Sequence, residues 1–420
     1  MRTLILAGRV IDGVQAKPIP NGAILVENDR IMEVGKAADF AGIEGVAIVD
    51  RPDATAMPGL IDAHVHLAYS GTPHKAAFRA EHAEMSYPSV ALRAAAYART
   101  TLSYGFTSVR DMHAPGGVII DLRNAIDKGE VPGPRIKACG HGLSVTGGHM
   151  DQPGWADHTA FRDLTHPCDG ADGFRRGVRA MAKRGADFIK INSSTSTHGR
   201  PGQYCQQEMS DAEIAAVCDE AHMQGLTVAA HTSGEDPLAA TIINGVDCVE
   251  HAHFTDDRII DLMVERGTYF VPTLLVNERN FDFSPEAQGV SPKHWDWLLA
   301  SREAKWITLE KARRAGVKIC CGTDAGFMIP HGPMSWREIA LLISGGLSAM
   351  EALIAATATN ADCLAIDAGR LMPGRLADIL VIEGDPLSDI ACLADPANLT
   401  VFKGGECVSS PPSRALLKTA

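Results

Sequence analysis

The chain has 420 residues, 45% of them hydrophobic and 5% aromatic, enough for one large core and a smaller second one. Its formal charge of −12 is spread without a basic block, which argues against nucleic acid as a partner and implies solubility. No stretch is long and apolar enough to span a bilayer, and the opening run Leu4-Ile5-Leu6-Ala7 breaks at Gly8-Arg9, too early for a secretory signal. The ten cysteines are scattered, with no paired Cys-x-x-Cys set. Cys139, Cys248, Cys320 and Cys321 fall in strand-like runs and read as small buried hydrophobes of a reducing, cytoplasmic protein.

In chain order, residues 1–57 hold short alternating runs at Thr3–Ala7, Gly22–Glu27, Arg30–Val34 and Val46–Asp50 with no long helix between them, and these read as strands. After Met57-Pro58-Gly59 the pattern changes. Apolar runs at Leu60–His64, Phe106–Arg110, Arg135–Cys139, Asp187–Ile191, Thr227–His231, Asp247–His251, Tyr269–Thr273 and Lys318–Thr323 alternate with helical patterns. Ser210–Gln224 opens on Ser210 with an acidic residue three places on and stops before Gly225, a capping box and a stop signal. Gly173–Arg184 and Arg302–Ala315 are similar. Residues 274–300 form a long insertion carrying Asn277, Phe281, Phe283, Trp295 and Trp297, and long loops of this kind shape substrate sites. Asp378–Glu383 and Leu399–Lys403 are strand-like again. The expected fold class is α/β: a (β/α)8 TIM barrel over residues 58–364, with a small β-sandwich domain built from both termini, residues 1–57 and 365–420. A doubly wound sheet is the alternative.

Ligand-type residues fall at the carboxyl ends of five of these strands. His64-Val65-His66 places two imidazoles on one face of a strand, and neutral imidazole is the commonest ligand for borderline metals. Lys190 sits within Phe188-Ile189-Lys190-Ile191, where an unpaired ammonium is costly. His231 and His251 end strands five and six, and Gly322-Thr323-Asp324 ends strand eight. His231 alone also reads as a core histidine, and Asp324 alone as a helix cap. Of His251 and His253, His251 completes the apolar strand and His253 starts the loop. Active sites of barrels are built at this face from several strand ends. His141 and His149 flank the Gly-rich segment 142–148, which reads as a flexible loop after strand three, and His149 is the candidate for holding a substrate carbonyl or carboxylate. After strand four, Arg200 reads either as a carboxylate clamp or as a solvated loop residue, and Tyr204 follows it. His222 reads as packing or surface. Trp295 and Trp297 read either as a pocket wall or as anchors of the insertion.

With these residues the chain resembles the metal-dependent amidohydrolase superfamily. Met372-Pro373-Gly374-Arg375-Leu376-Ala377-Asp378-Ile379 looks like that family's return into its small β-domain. Gly147-Gly148-His149 and Glu250-His251-Ala252 look like the imidazolonepropionase-like and prolidase-like branch with a binuclear centre. The resemblance implies two divalent metal ions. His64, His66 and Asp324 would hold the more buried one, His231 and His251 the second, and a carboxylated Lys190 would bridge them. Zinc is the default, and manganese or cobalt also suits the ligands. It implies a hydrolase that cleaves an amide-type C–N bond by attack of a hydroxide between the metals, with Asp324 shuttling the proton. The substrate would be a small molecule: an N-acyl amino acid, a dipeptide or a xenobiotic amide. His141, His149, Arg200 and Tyr204 would contact it. Relatives are often homo-oligomers. Two departures matter: Ser233 replaces a tyrosine that helps bind the substrate carboxylate in prolidase-like members, and Asn192-Ser193-Ser194 replaces a common Thr-Gly-Gly, which puts dipeptidase activity in doubt. The alternatives are a carbamate or ester hydrolase, a mononuclear deaminase or cyclic-imide hydrolase, for which Gly234 and Lys190 are the wrong residues, and a non-catalytic homologue, which would have lost ligands.

Overall fold

A computed structural model describes residues 2–151, 165–195 and 204–410 and the backbone of 418–419. The chain enters through β1 (Arg2–Val10), β2 (Ile19–Glu27), β3 (Arg30–Lys36) and β4 (Ala47–Pro58). There follow β5 (Leu60–Val65), β6 (Phe106–Asp111), β7 (Arg135–Ala138), β8 (Gly142–Ser144), β9 (Thr165–Pro167), β10 (Phe188–Asn192), β11 (Thr227–Thr232), β12 (Cys248–His251), β13 (Tyr269–Val271) and β14 (Lys318–Ile319). It leaves through β15 (Ile379–Ile382), β16 (Leu399–Lys403), β17 (Glu406–Ser409) and β18 (Lys418–Thr419).

Strands from the two ends share one sheet, ordered β17-β16-β15-β4-β1-β2-β3, with β18 against β4. Period-two alternation gives that sheet two buried faces. Ile5, Ile24, Ile31, Ile379, Val381 and Phe402 fall in one cluster, and Leu4, Ala23 and Leu25 join Phe40 in another. The strand β4 runs well past the expected Asp50. Its second half, with two prolines and charges, has no strand signal of its own and is held by pairing with β1 and β15.

The strands between the ends are parallel, and helices separate most of them, giving a mixed α/β fold. All eight expected runs form strands. One sheet is β5-β6-β7, the other β14-β13-β12-β11-β10-β8-β9. Hydrogen bonds join the two at both sides: Ala63 N to Cys321 O (2.9 Å) and Asp324 N to His64 O (2.8 Å) at one, Asp187 N to Ala138 O (2.8 Å) at the other. Most of these strands, β5, β10 and β12 among them, are buried on both faces, which explains their largely apolar runs. Asn360 fastens the first junction. Its Nδ2 donates to Ile61 O and to Cys321 O, both at 2.7 Å, and its Oδ1 accepts from Cys321 N at 3.1 Å.

Three local expectations are corrected. The Gly-rich segment 142–148 opens as a strand, β8, paired to β10 at Ile191–Leu143. The helix expected from Arg302 starts at Pro292 and runs 24 residues to Ala315. Its start was hidden in the insertion, where Ser291 accepts from His294 N and proline takes the first helical position. Residues 274–300 are therefore mostly helical, with short helices at Leu274–Arg279 and Pro285–Gln288. The Ser210 capping box is present, with Ser210 N donating to Glu213 Oε2 at 2.8 Å.

Asn360→Ala removes three buried hydrogen bonds from one junction. The expected loss is about 2–4 kcal/mol of unfolding free energy, read as a lowered denaturant midpoint; an unchanged midpoint would mean that the strands meet there without its help.

Candidate metal centre and active site

The carboxyl ends of the parallel strands converge on one cavity. His64, His66, His113, His149, Lys190, His231, His251, His253, Lys305 and Asp324 line it. Parallel register sets most of these directions: Asn192 lies opposite His231, and His231 opposite Glu250, so Lys190, Asn192, His231 and Glu250 share the inner side. The ring of His251 should then point outward. Left-handed backbone at His251 (φ 68°) and Ala252 (φ 45°) turns it in, a conformation that is uncommon outside glycine. His253 comes in as well, so both histidines of the pair face the cavity.

Three ligand atoms from His64, His66 and Asp324 lie within 4.8 Å of one another. Asp324 Oδ1 is 3.4 Å from His64 Nε2 and 3.3 Å from His66 Nε2. His64 Nδ1 meets the Glu250 carboxylate at 2.8 Å, and His66 Nδ1 faces His113 O at 3.4 Å. A proton donated from each Nδ1 leaves a lone pair on each Nε2. Three lone-pair atoms then face one another with no hydrogen between them, an arrangement that a cation satisfies. Gly322 permits the approach: a Cβ there would lie 2.9 Å from His64 Cβ and 2.4 Å from Val271 Cγ1. Asp62 holds the same junction from below, accepting from Thr323 N (3.0 Å), Thr323 Oγ1 (2.7 Å) and His64 N (3.1 Å); burial pushes its carboxyl up to about 7.

Beside this trio, Lys190 Nζ and His231 Nε2 are buried with no hydrogen-bond partner among the described residues. The His231 ring lies 4.7 Å from that of His251, which is 5.0 Å from that of His64. Burial pushes the Lys190 ammonium down to about 8, against the pull of Glu250. Burial also holds His113, His231 and His251 well below the usual imidazole range, in the neutral form that ligates metals.

Glu250 is fully buried on β12. Its Oε2 takes His64 Nδ1 and its Oε1 takes Arg110 Nη2 at 2.6 Å. Burial alone would raise its carboxyl, but Arg110, His64 and Lys190 outweigh it and hold it at about 2. Burial likewise opposes Asp324, which His64 and His66 hold at about 2.

Around this centre, His149 stacks on His231 with centroids 4.0 Å apart. Trp297 lines the cavity, whereas Trp295 packs on Phe281 at 5.3 Å and anchors the insertion. The His141 expectation is corrected: it turns away from the cavity, where Arg184 on the outer helix meets its Nδ1 at 2.8 Å. Tyr204 is corrected too, since it stacks behind Trp297 at 5.0 Å and does not line the cavity. Arg200 lies outside the described residues. His222 is a surface residue paired with Asp247 at 2.9 Å. Sequence reading missed His113, Lys305 and Asp62, and gave Glu250 no role beyond its place in the Glu250-His251-Ala252 motif. For His113 a signal existed, since it follows β6 directly.

The chain matches the model of the amidohydrolase family over residues 55–408. It belongs to that family. It is a hydrolase acting on carbon–nitrogen bonds, in a family that is generally metal-dependent. It is 29% identical to an ochratoxinase of Aspergillus niger over 432 aligned positions, 97% of this chain and 87% of that one. It is 25% identical to an imidazolonepropionase of Acidiphilium cryptum, over 92% and 93% of the two chains. A solved Xaa-Pro dipeptidase with methionine bound in its active site superposes with a TM-score of 0.87 and 31% identity over the whole of both chains. Among the described residues no helix is long and apolar enough to cross a membrane.

Glu250→Gln keeps the shape but removes the charge that orients His64. Metal affinity should fall roughly 10- to 100-fold, measured by chelator competition on folded protein. Unchanged affinity would mean that the pair only neutralises Arg110.

Proposed function

We propose that the protein cleaves an amide C–N bond in a small substrate, using two divalent ions held by His64, His66 and Asp324 and by His231 and His251, with a carboxylated Lys190 between them. The observation that carries this reading is Lys190. An ammonium buried beside two imidazole clusters, without a hydrogen-bond partner among the described residues, is costly; a carbamate on the same nitrogen turns it into an anion suited to two cations. Zinc fits the histidine and carboxylate set.

When bound, the ions would supply an acidified water and polarise the substrate carbonyl. The protein's own groups do the rest. Asp324, ionised and aimed at the junction of the ligands, takes the proton of the attacking water and hands it to the leaving nitrogen. His149, set against His231, steadies the carbonyl oxygen as its charge grows. The hydrogen bonds at both junctions of the parallel strands support a (β/α)8 barrel over residues 58–364. The mixed sheet supports a β-domain from residues 1–57 and 365–420. A homo-oligomer and a cytoplasmic location complete the proposal.

Purified protein reconstituted with metal and bicarbonate should bind about two ions per chain. Lys190→Ala should lower occupancy and activity together, and one ion per chain, unaffected by Lys190→Ala, would overturn the binuclear reading. Asp324→Asn should fold and keep most of its metal while kcat drops at least about 10²-fold. A near-normal kcat would remove Asp324 from the proton path.

A further inference from the structure

The cavity holds a second cluster that the hydrolytic reading does not use. Lys305, on the helix Pro292–Ala315, is 1% exposed and points into the cavity. Its Nζ donates to Thr273 O at 3.0 Å and Thr273 Oγ1 at 3.3 Å, which leaves one of three ammonium protons uncommitted. Among the described residues no carboxylate lies within ion-pair distance of it. Glu338 is the nearest in electrostatic terms, but its two oxygens accept from Leu274 N (2.9 Å) and Leu275 N (2.6 Å). Thr273 Oγ1 also meets His251 Nδ1 at 2.7 Å, so Lys305 stands one hydrogen-bonded residue from a candidate metal ligand.

His253 faces the same space. It is 6% exposed, and its Nε2 is buried with no hydrogen-bond partner among the described residues. Its Nδ1 is 3.1 Å from Ser233 Oγ. A hydroxyl donating to Nδ1 puts the imidazole proton on Nε2, aimed at the cavity. A cation and a neutral donor thus converge beside the hydrolytic centre.

We infer that Lys305 and His253 form the carboxylate-binding subsite of this enzyme, and that its substrate is an N-acyl amino acid. The inference rests on the amide-hydrolysis reading. The other half of the substrate follows from the rest of the wall. Phe78, Met150, Phe327 and Met328 line the cavity, and Asp324 is the only carboxylate among the described lining residues. An apolar acyl group fits that wall; the free ammonium of a dipeptide finds no anion there among the described residues besides Asp324, which the metal centre uses. Ser233, where sequence reading noted the loss of a carboxylate-binding tyrosine, acts here through His253.

The test pairs N-benzoyl amino acids with their primary carboxamides and follows benzoate release by metal-loaded enzyme. Wild type should favour the acid in kcat/KM by roughly 10- to 150-fold, the worth of one charge-assisted hydrogen bond. Lys305→Gln, and independently His253→Gln should the first variant not fold, should shrink that preference towards parity. Lys305→Arg should restore part of it. Calorimetric titration of the acid into Asp324→Asn protein, with and without Lys305→Gln, reads binding apart from chemistry and should show a Kd raised roughly 10-fold or more. A preference kept in both variants, an equal loss for acid and carboxamide, or a wild type favouring the carboxamide would overturn the subsite. Absence of benzoate release from both substrates would overturn amide hydrolysis instead, and the titration would still decide the subsite.

Discussion

Everything at the centre depends on one buried carboxylate. Glu250 reaches across the parallel strands to His64 with one oxygen and to Arg110 with the other. Without Arg110 its charge would be expelled by burial; without Glu250 the Arg110 cation would stand unpaired beneath the ligands. Arg110 is fixed in turn, its Nε donating to Ala63 O at 2.7 Å. The pair therefore sets the tautomer of His64, the position of the strand that carries it, and the electrostatic floor of the cavity. Lys190 feels both members, drawn towards its charged form by Glu250 and away from it by Arg110.

Much of this was legible in the sequence because it follows from short-range rules. The alternation of β5 put His64 and His66 on one face, and the run around Lys190 announced a buried amine. The capping box at Ser210 located its helix. What stayed hidden depends on partners far away in the chain. Glu250 and His64 are 186 residues apart, and the motif Glu250-His251-Ala252 drew notice to its histidine without giving the carboxylate a role. Lys305 lies mid-helix, where a lysine ordinarily faces water; only packing of that helix over Thr273 buries it. His141 failed for the opposite reason. Proximity in sequence to a Gly-rich loop said nothing about which way the loop turns, and Arg184 holds the ring on the outer side.

The choice between His251 and His253 shows where strand rules stop. Period two places both on one face, yet β12 ends at His251. Left-handed backbone at His251 and Ala252, and again at Thr273 and Asp324, falls at the strand ends that line the cavity. Such conformations cost about 1–3 kcal/mol each in non-glycine residues, and they persist because buried hydrogen bonds hold them. Ala252 N is tied to Glu250 O (2.8 Å), Thr273 O to Lys305, and Asp324 N to His64 O.

Local strain and facing lone pairs have a common meaning. The strands below the cavity mostly obey local rules: largely apolar, paired in parallel, hydrogen-bonded at both junctions, with Arg110 and Glu250 neutralising each other. At their carboxyl ends the rules are broken together: backbone in left-handed conformations, imidazole nitrogens turned towards a carboxylate oxygen, an ammonium with no counter-ion in reach among the described residues. A fold tolerates such conflict where something outside the chain resolves it. Cations among the histidines and an anion at Lys305 would resolve the facing lone pairs and the uncompensated ammonium, with charges of the sign that an acylated amino acid and its hydrolytic metals bring.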